Sequence, residues 1–184
     1  DRNSDVNIRN VKVIEGRYVY INAVLKKLDV YSYGYAKGSG LGANIDAMND
    51  LTVSLTANTR VEDVTVIGHD GAVINATSEP DYLDANVHTD ARVQLNAIGH
   101  AYAKSKVITR EAATVTVQNL IYKGASIRID NRKITGDRIL HEEHTGGFIR
   151  KHTSDKSKFQ SSSSITVKDI TCLLYTSPSP RDGL

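Results

Sequence analysis

"VKVIEGRYVYINA" (Val11–Ala23) and "VTVIGHDGAVINA" (Val64–Ala76) align without a gap at an offset of 53 residues. Val11/Val64, Val13/Val66, Ile14/Ile67, Ile21/Ile74, Asn22/Asn75 and Ala23/Ala76 coincide. Both copies set apolar, mostly β-branched residues at alternate positions and separate them with turn-type residues, the texture of short strands. The unit of the fold is therefore larger than one strand, and further copies are expected along the chain.

A second gapless pair sets "LDVYSYGYAKGS" (28–39) against "LNAIGHAYAKSK" (95–106), with Leu, Tyr, Ala and Lys in common. Its offset of 67 predicts 14 extra residues in the second unit, around "TSEPDYLDANVHTD" (77–90). Pro80 and the acidic residues there read as a surface loop. V-x-V pairs begin at Val11, Val64, Val115 and Ile165 (I-x-V in the last), in steps of 53, 51 and 50. A period near 50 residues that tolerates insertions predicts an all-β solenoid or array, each unit stacking its strands on the next. The one helix candidate is "GANIDAMNDL" (Gly42–Leu51), and its apolar spacing is weak.

The Tyr-rich strand sharpens this reading. One face carries Ser32, Gly34, Ala36 and Gly38; the other carries Tyr31, Tyr33, Tyr35 and Lys37. In the second copy the small face is Ala97, Gly99, Ala101 and Ala103, and the large one Ile98, His100, Tyr102 and Lys104. An inner face of tiny side chains implies close approach to another backbone surface. A narrow coil interior requires that, whereas a sandwich would place Val, Leu or Phe there.

Composition excludes several functions. The 184 residues include no Trp, two Phe, one Met and nine Tyr, and 23 basic against 21 acidic residues leave a formal charge of +2. That balance gives no field suited to nucleic acid. No apolar run approaches the roughly 18 residues of a membrane span. The C-terminal stretch changes character at Cys172, the one cysteine, after which two of the three prolines follow. Cys172–Asp182, "CLLYTSPSPRD", reads as the translation of a transposase adapter used in shotgun sequencing. The expected division is thus a repeat segment at 1–171 and a non-native, disordered tail at 172–184, with the repeat segment itself a fragment.

The chemical motifs are weak. "HEEHTGG" (His141–Gly147) sets His141 and His144 three apart, where a zinc-protease helix needs four; with His152 nearby, a solvated loop is the better reading. "GSGLGA" (Gly38–Ala43) fits G-x-G-x-x-A but lacks the helix of a dinucleotide site. His69 and Asp70, bracketed by Gly68 and Gly71, read as a tight turn. No catalytic, cofactor or metal residues are expected. The Tyr31, Tyr33, Tyr35 row reads as cross-strand packing over a sheet face. Its ligand-facing alternative comprises Tyr31, Tyr33, Tyr35 and Lys37 with Tyr102 and Lys104.

The repeat texture, V-T-V followed by G-A-x-I-x-A and then a small-residue strand ending Tyr-Ala-Lys, resembles the repeat regions of large bacterial filamentous surface adhesins, the filamentous-haemagglutinin and leukotoxin-like group. The resemblance covers most of residues 1–171. It implies a right-handed parallel β-helix in a secreted, cell-surface fibre that binds host glycans or matrix and cell-surface proteins without catalysis. The rival reading is an enzyme on the same architecture, a polysaccharide lyase or tailspike-type glycosidase, whose nearest candidate residues are Asp130, Arg132, Asp137 and Arg138.

Overall fold

The computed structural model describes residues 1–39, 44–79, 82–94, 100–131, 138–145 and 151–175. They form nine strands: β1 (Arg2–Arg9), β2 (Val13–Leu25), β3 (Leu28–Ser39), β4 (Asn44–Ser78), β5 (Leu83–Gln94), β6 (His100–Gly124), β7 (Ile127–Asn131), β8 (Arg138–Thr145) and β9 (Lys151–Leu174). Among the described residues there is no helix, so none is long and apolar enough to cross a membrane. The expected helix at Gly42–Leu51 is instead the start of β4 from Asn44 onward. Its inward positions Ala47 and Asn49 alternate with exposed Asp46, Met48 and Asp50, which is the period of a strand.

Every ladder is parallel. One sheet runs β1-β4-β6-β9, with β2 and β7 also on β4; the other runs β3-β5-β8. Ile21 pairs with Ile74, Leu28 with Leu83, Asn44 with His100 and Ala101 with Lys151, so each strand lies beside the segment one repeat further along. The Ile21/Ile74, Asn22/Asn75 and Ala23/Ala76 matches are thus ladder partners. Before them the register shifts: Val13 faces Thr65 and Ile14 faces Val66, because Gly16–Tyr18 is opposed by the longer Gly68–Gly71. The "IGHDGA" segment is therefore a bulge inside β4 and not a turn between strands.

Three other expectations are corrected. Residues 28–39 pair with 83–94, not 95–106, while His100–Lys106 pair with Asn44–Asp50. The proposed surface loop at 77–90 is largely β5, with Tyr82, Leu83, Ala85, Val87 and Thr89 buried. The V-x-V pair at Val115 is level with Thr59, not Val64, whose partner is Leu120.

The repeat is marked instead by a column of left-handed residues. Asn10, Asp63, Asn119 and Asp169 have φ of 55°, 54°, 50° and 54°, at spacings of 53, 56 and 50 residues. Asn and Asp tolerate that conformation better than other side chains carrying a Cβ. In β4 and β6 this residue bends the strand and reverses which positions point inward. In β4, Leu55, Ala57, Thr59 and Val61 are buried before Asp63, and Val64, Val66 and Gly68 after it. The Asn119 side-chain amide donates to Asp63 Oδ1 at 2.9 Å, tying adjacent corners together.

Two cores follow. The large one is aliphatic, with Val19, Ile21, Leu25, Leu55, Val61, Val66, Ile74, Leu120 and Tyr122 among its members. At its second corner Gly16, Gly68 and Gly124 stack. A Cβ on Gly124 would sit 2.0 Å from the Gly68 carbonyl oxygen, and one on Gly68 2.4 Å from the Gly71 carbonyl oxygen, so these two positions need glycine. The small core holds Ala47, Ala91, Ala101 and Ala103, with Ala36 and Ile45 packed on it. Here β3 lies face to face with the start of β4. Ser32 Oγ donates to Asn49 Oδ1 at 2.7 Å, and a Cβ on Gly34 would meet Asn49 Cβ at 3.1 Å and the Met48 carbonyl at 3.3 Å. The sequence-based inner face of Ser32, Gly34, Ala36 and Gly38 is the inner face observed. Cys172–Leu174 extend β9 along Tyr122–Gly124, so the backbone carries no mark at 171/172; residues 176–184 lie outside the described residues.

Candidate ligand-binding surface

Because β3 alternates strictly, its large residues all stand on the outer face. Tyr31, Tyr33 and Tyr35 are 72%, 53% and 49% exposed. The β3–β5 register sets Tyr31 beside Asn86, Tyr33 beside His88, Tyr35 beside Asp90 and Lys37 beside Arg92. The Tyr33 and His88 rings stack at a centroid distance of 5.2 Å and 4° between planes, and Tyr33 and Tyr35 at 6.3 Å and 10°. Such pairing orders the rings without covering them, and adds to what area burial alone gives. Asp90 is buried and its carboxylate pairs with the exposed Arg92 guanidinium at 2.6 Å. The face thus runs from Asp29 and Asp84 at one end, through aromatic and amide groups, to Lys37 and Arg92 at the other.

Tyr102 and Lys104 do not join this row. They sit on β6 in the other sheet, next to Asp46 and Met48 of β4, with the alternating Ala101 and Ala103 turned inward. The six expected ligand-facing residues therefore form two groups on different sheets. A further aromatic pair, Tyr18 and Tyr20 on β2, was not anticipated. They are 56% and 69% exposed and stack at 6.2 Å. Their signal lay in the alternation itself, since Val19 and Ile21 point inward and leave the tyrosines outside.

The chemical motifs stay dispersed. His69 contacts Glu15 at 2.9 Å and Asp70 pairs with Arg17, each across neighbouring strands at the β4 bulge. Asp130 on β7 pairs with Arg128 at 2.5 Å. Arg132 and Asp137 lie outside the described residues, and Arg138 begins β8. Gly38 closes on Ile45, while residues 40–43 of the glycine-rich stretch lie outside the described residues. His141, Glu143 and His144 fall on β8 beside Asn86, His88 and Thr89. Among the described residues, no three His, Cys, Asp or Glu side chains come together as a metal site.

Two buried hydroxyls meet polar partners inside the large core. Tyr82 donates to Glu111, and Tyr122 lies against the Ser126 carbonyl at 2.6 Å and the Gly68 carbonyl at 3.1 Å. Burial pushes the Tyr122 pKa above that of an ordinary tyrosine. An open groove of about 340 Å³ runs over Ser54, Arg110 and Gln160, stacked on β4, β6 and β9, with Arg110 donating to Gln160 at 3.4 Å. No family model, curated protein or solved structure matches the chain.

Proposed function

We propose that the chain is a segment of a right-handed parallel β-solenoid, and that it serves as a non-catalytic structural and adhesive repeat of a secreted bacterial surface adhesin of the filamentous-haemagglutinin and leukotoxin-like group. The observation that carries the reading is the ladder itself: strands pair in parallel with the segment one repeat later, in both sheets. A stack of that kind grows by adding coils and offers a long lateral surface. Ordered exposed tyrosines on β2 and β3 supply contact area at low entropic cost. Single sites of this sort bind weakly, and repetition along a fibre raises avidity without a deep pocket. Host glycans and matrix or cell-surface proteins are the partners proposed, at an extracellular location on the bacterial surface.

Beads coated densely with the chain test this. They should adhere to host-cell or matrix-coated surfaces while the soluble chain binds weakly. A screen against polysaccharides gives the opposing result: turnover abolished by Asp130→Asn would overturn the adhesive reading and establish the lyase or glycosidase.

A further inference from the structure

We infer that the groove over β4, β6 and β9 holds a linear, unsulfated polysaccharide in which a uronate alternates with a neutral sugar, the polymer lying along the stacking axis. The inference rests on the adhesive reading above and gives it a ligand class and a site. The groove, of about 340 Å³, lies on the lateral face of the larger sheet. One row of its lining is Ser54, Arg110 and Gln160, and the next is Thr56, Ala112 and Ser162. Within each row the residues are ladder partners, Ser54 beside Arg110 beside Gln160 and Thr56 beside Ala112 beside Ser162. The groove therefore runs across the strands, in the direction in which coils stack. Stacking covers strand edges and leaves this face open.

Spacing selects an extended sugar polymer. Neighbouring strands stand about 4.8 Å apart. An equatorially linked pyranose advances along its chain by nearly the same length, so each strand meets one sugar. An extended peptide advances by about 3.3 Å per residue and falls out of step with the coils. The lining suits sugar as well. The hydroxyls of Ser54, Thr56 and Ser162 and the Gln160 amide each donate and accept, and the small Ala112 leaves room for a ring between them.

Charge selects the alternation. Arg9 and Arg60 pair with Glu62, Arg17 with Asp70, Arg92 with Asp90 and Arg128 with Asp130. The exposed Arg110 instead donates from Nε to the neutral Gln160 Oε1 at 3.4 Å, and among the described residues it pairs with no carboxylate. The carboxylate of this strip, Glu111, is turned into the core, where it accepts from Tyr82. The groove thus presents one planar fork of donors suited to a carboxylate, with uncharged Ser54 and Gln160 one strand away on either side. A polymer acidic at every sugar would set carboxylates against both neighbours, and a sulfate on the intervening sugar would do the same. One acidic at every second sugar sets its carboxylate against Arg110 alone. Lys106, Lys156 and Lys158 stand at nearby outward positions of β6 and β9 and enter no ion pair among the described residues. They draw a polyanion to this face without fixing its register.

Biosensor binding of the full chain to end-attached glycans at physiological salt tests this. Hyaluronan, a polymer of the alternating kind, should bind. Polygalacturonate, acidic at every sugar, and chondroitin sulfate should each bind about fivefold more weakly. Hyaluronan with its carboxylates reduced to alcohols should not bind. Arg110→Ala should weaken hyaluronan binding about tenfold, and Arg110→Lys should recover only a minor part of that loss, since an ammonium lacks the planar fork. Ala112→Gln fills the groove without changing its charge and should weaken binding as much, while Lys37→Ala on β3 should change nothing. A chain that binds none of these glycans overturns the inference. So does hyaluronan binding that survives Arg110→Ala and Ala112→Gln, or equal binding to polygalacturonate or chondroitin sulfate. Chain-coated beads separate this inference from the adhesive reading: adhesion to matrix-coated surfaces undiminished by free hyaluronan leaves the adhesive reading standing and overturns this one.

Discussion

The two cores of this chain use the same ladder and the same alternation, yet one is built from Val, Ile, Leu and Tyr and the other from Ala, Gly, Ser, Thr and Asn. In the wide region bulky side chains fill the space between the strands. In the narrow region β3 and the start of β4 approach until a Cβ on Gly34 would crowd Asn49 Cβ at 3.1 Å. Polar groups survive there because they satisfy one another. Asn49 bridges Ser32 and the His88 carbonyl, and Thr89 and Ser105 share a hydrogen bond of 2.8 Å. Side-chain volume, not strand pairing, thus sets the distance between facing sheets.

The largest effect expected from that contrast is in the wide core. Leu120 is fully buried, and Leu120→Ala should lower stability by about 2–5 kcal/mol through lost transfer energy and a residual cavity. Chemical denaturation would measure it. A cost below 1 kcal/mol would mean that the wide region collapses as readily as a loosely packed surface, and the contrast would fail.

The narrow core should respond to the opposite change. Ala101 is 1% exposed, packed with Ala47, Ala91 and Ala103, so Ala101→Leu should cost about 1–3 kcal/mol by overpacking. Ala36→Leu should behave alike, and Tyr33→Ala on the outer face should cost less than either. Equal tolerance on both faces of β3 would remove the argument for a narrow interior.

These contrasts show what was legible in the sequence. The inner face of Ser32, Gly34, Ala36 and Gly38 was read correctly because alternation and side-chain size are local properties. The alignment of 28–39 with 95–106 misled for an instructive reason. β3 and the leading part of β6 belong to different sheets, yet both line the narrow interior. They share small inner residues with Tyr and Lys outside, so their likeness reports a common environment and not a common ladder. The V-x-V count failed similarly, since Val64 follows a corner and Val115 precedes one. The true marker, an Asn or Asp between an alternating run and its continuation, was present in "IRNV", "VEDV", "VQNL" and "VKDI". It was hidden because those residues read simply as polar punctuation. The outward row at Tyr31–Lys37 was legible too; its separation from Tyr102 and Lys104 was not, since nothing local says which sheet a strand joins.

The corner column gives a prediction of intermediate size. Asn119 holds a φ of 50° and donates to Asp63, so Asn119→Ala should destabilise by about 1–2 kcal/mol. Asn119→Gly should recover most of that loss, because glycine adopts the left-handed region freely. If both variants are equally destabilised, the hydrogen bond and not the backbone conformation carries the corner.

The smallest effect separates the two cores by pH. Asn49, Thr89 and Ser105 in the narrow region carry no titrating group in the ordinary range, whereas the wide region buries the Tyr122 hydroxyl against two carbonyl oxygens. Burial raises the Tyr122 pKa, so the folded chain holds this proton more tightly than the unfolded chain does. Its contribution is then fully present below the unfolded tyrosine pKa of about 10 and is lost as pH rises through the higher folded value. Tyr122→Phe lacks the group, leaves the Gly68 and Ser126 carbonyls short of a donor, and should be the less stable protein at neutral pH. Above about pH 10 the unfolded wild-type chain releases this proton while the folded chain still holds it, a loss the Phe variant does not share. The gap between the two proteins should therefore narrow steadily as pH climbs. Urea midpoints for both between about pH 8 and 11.5 would show it. Parallel curves would mean that Tyr122 ionises as readily in the folded chain as in the unfolded one, and that the wide core admits water at its glycine corner.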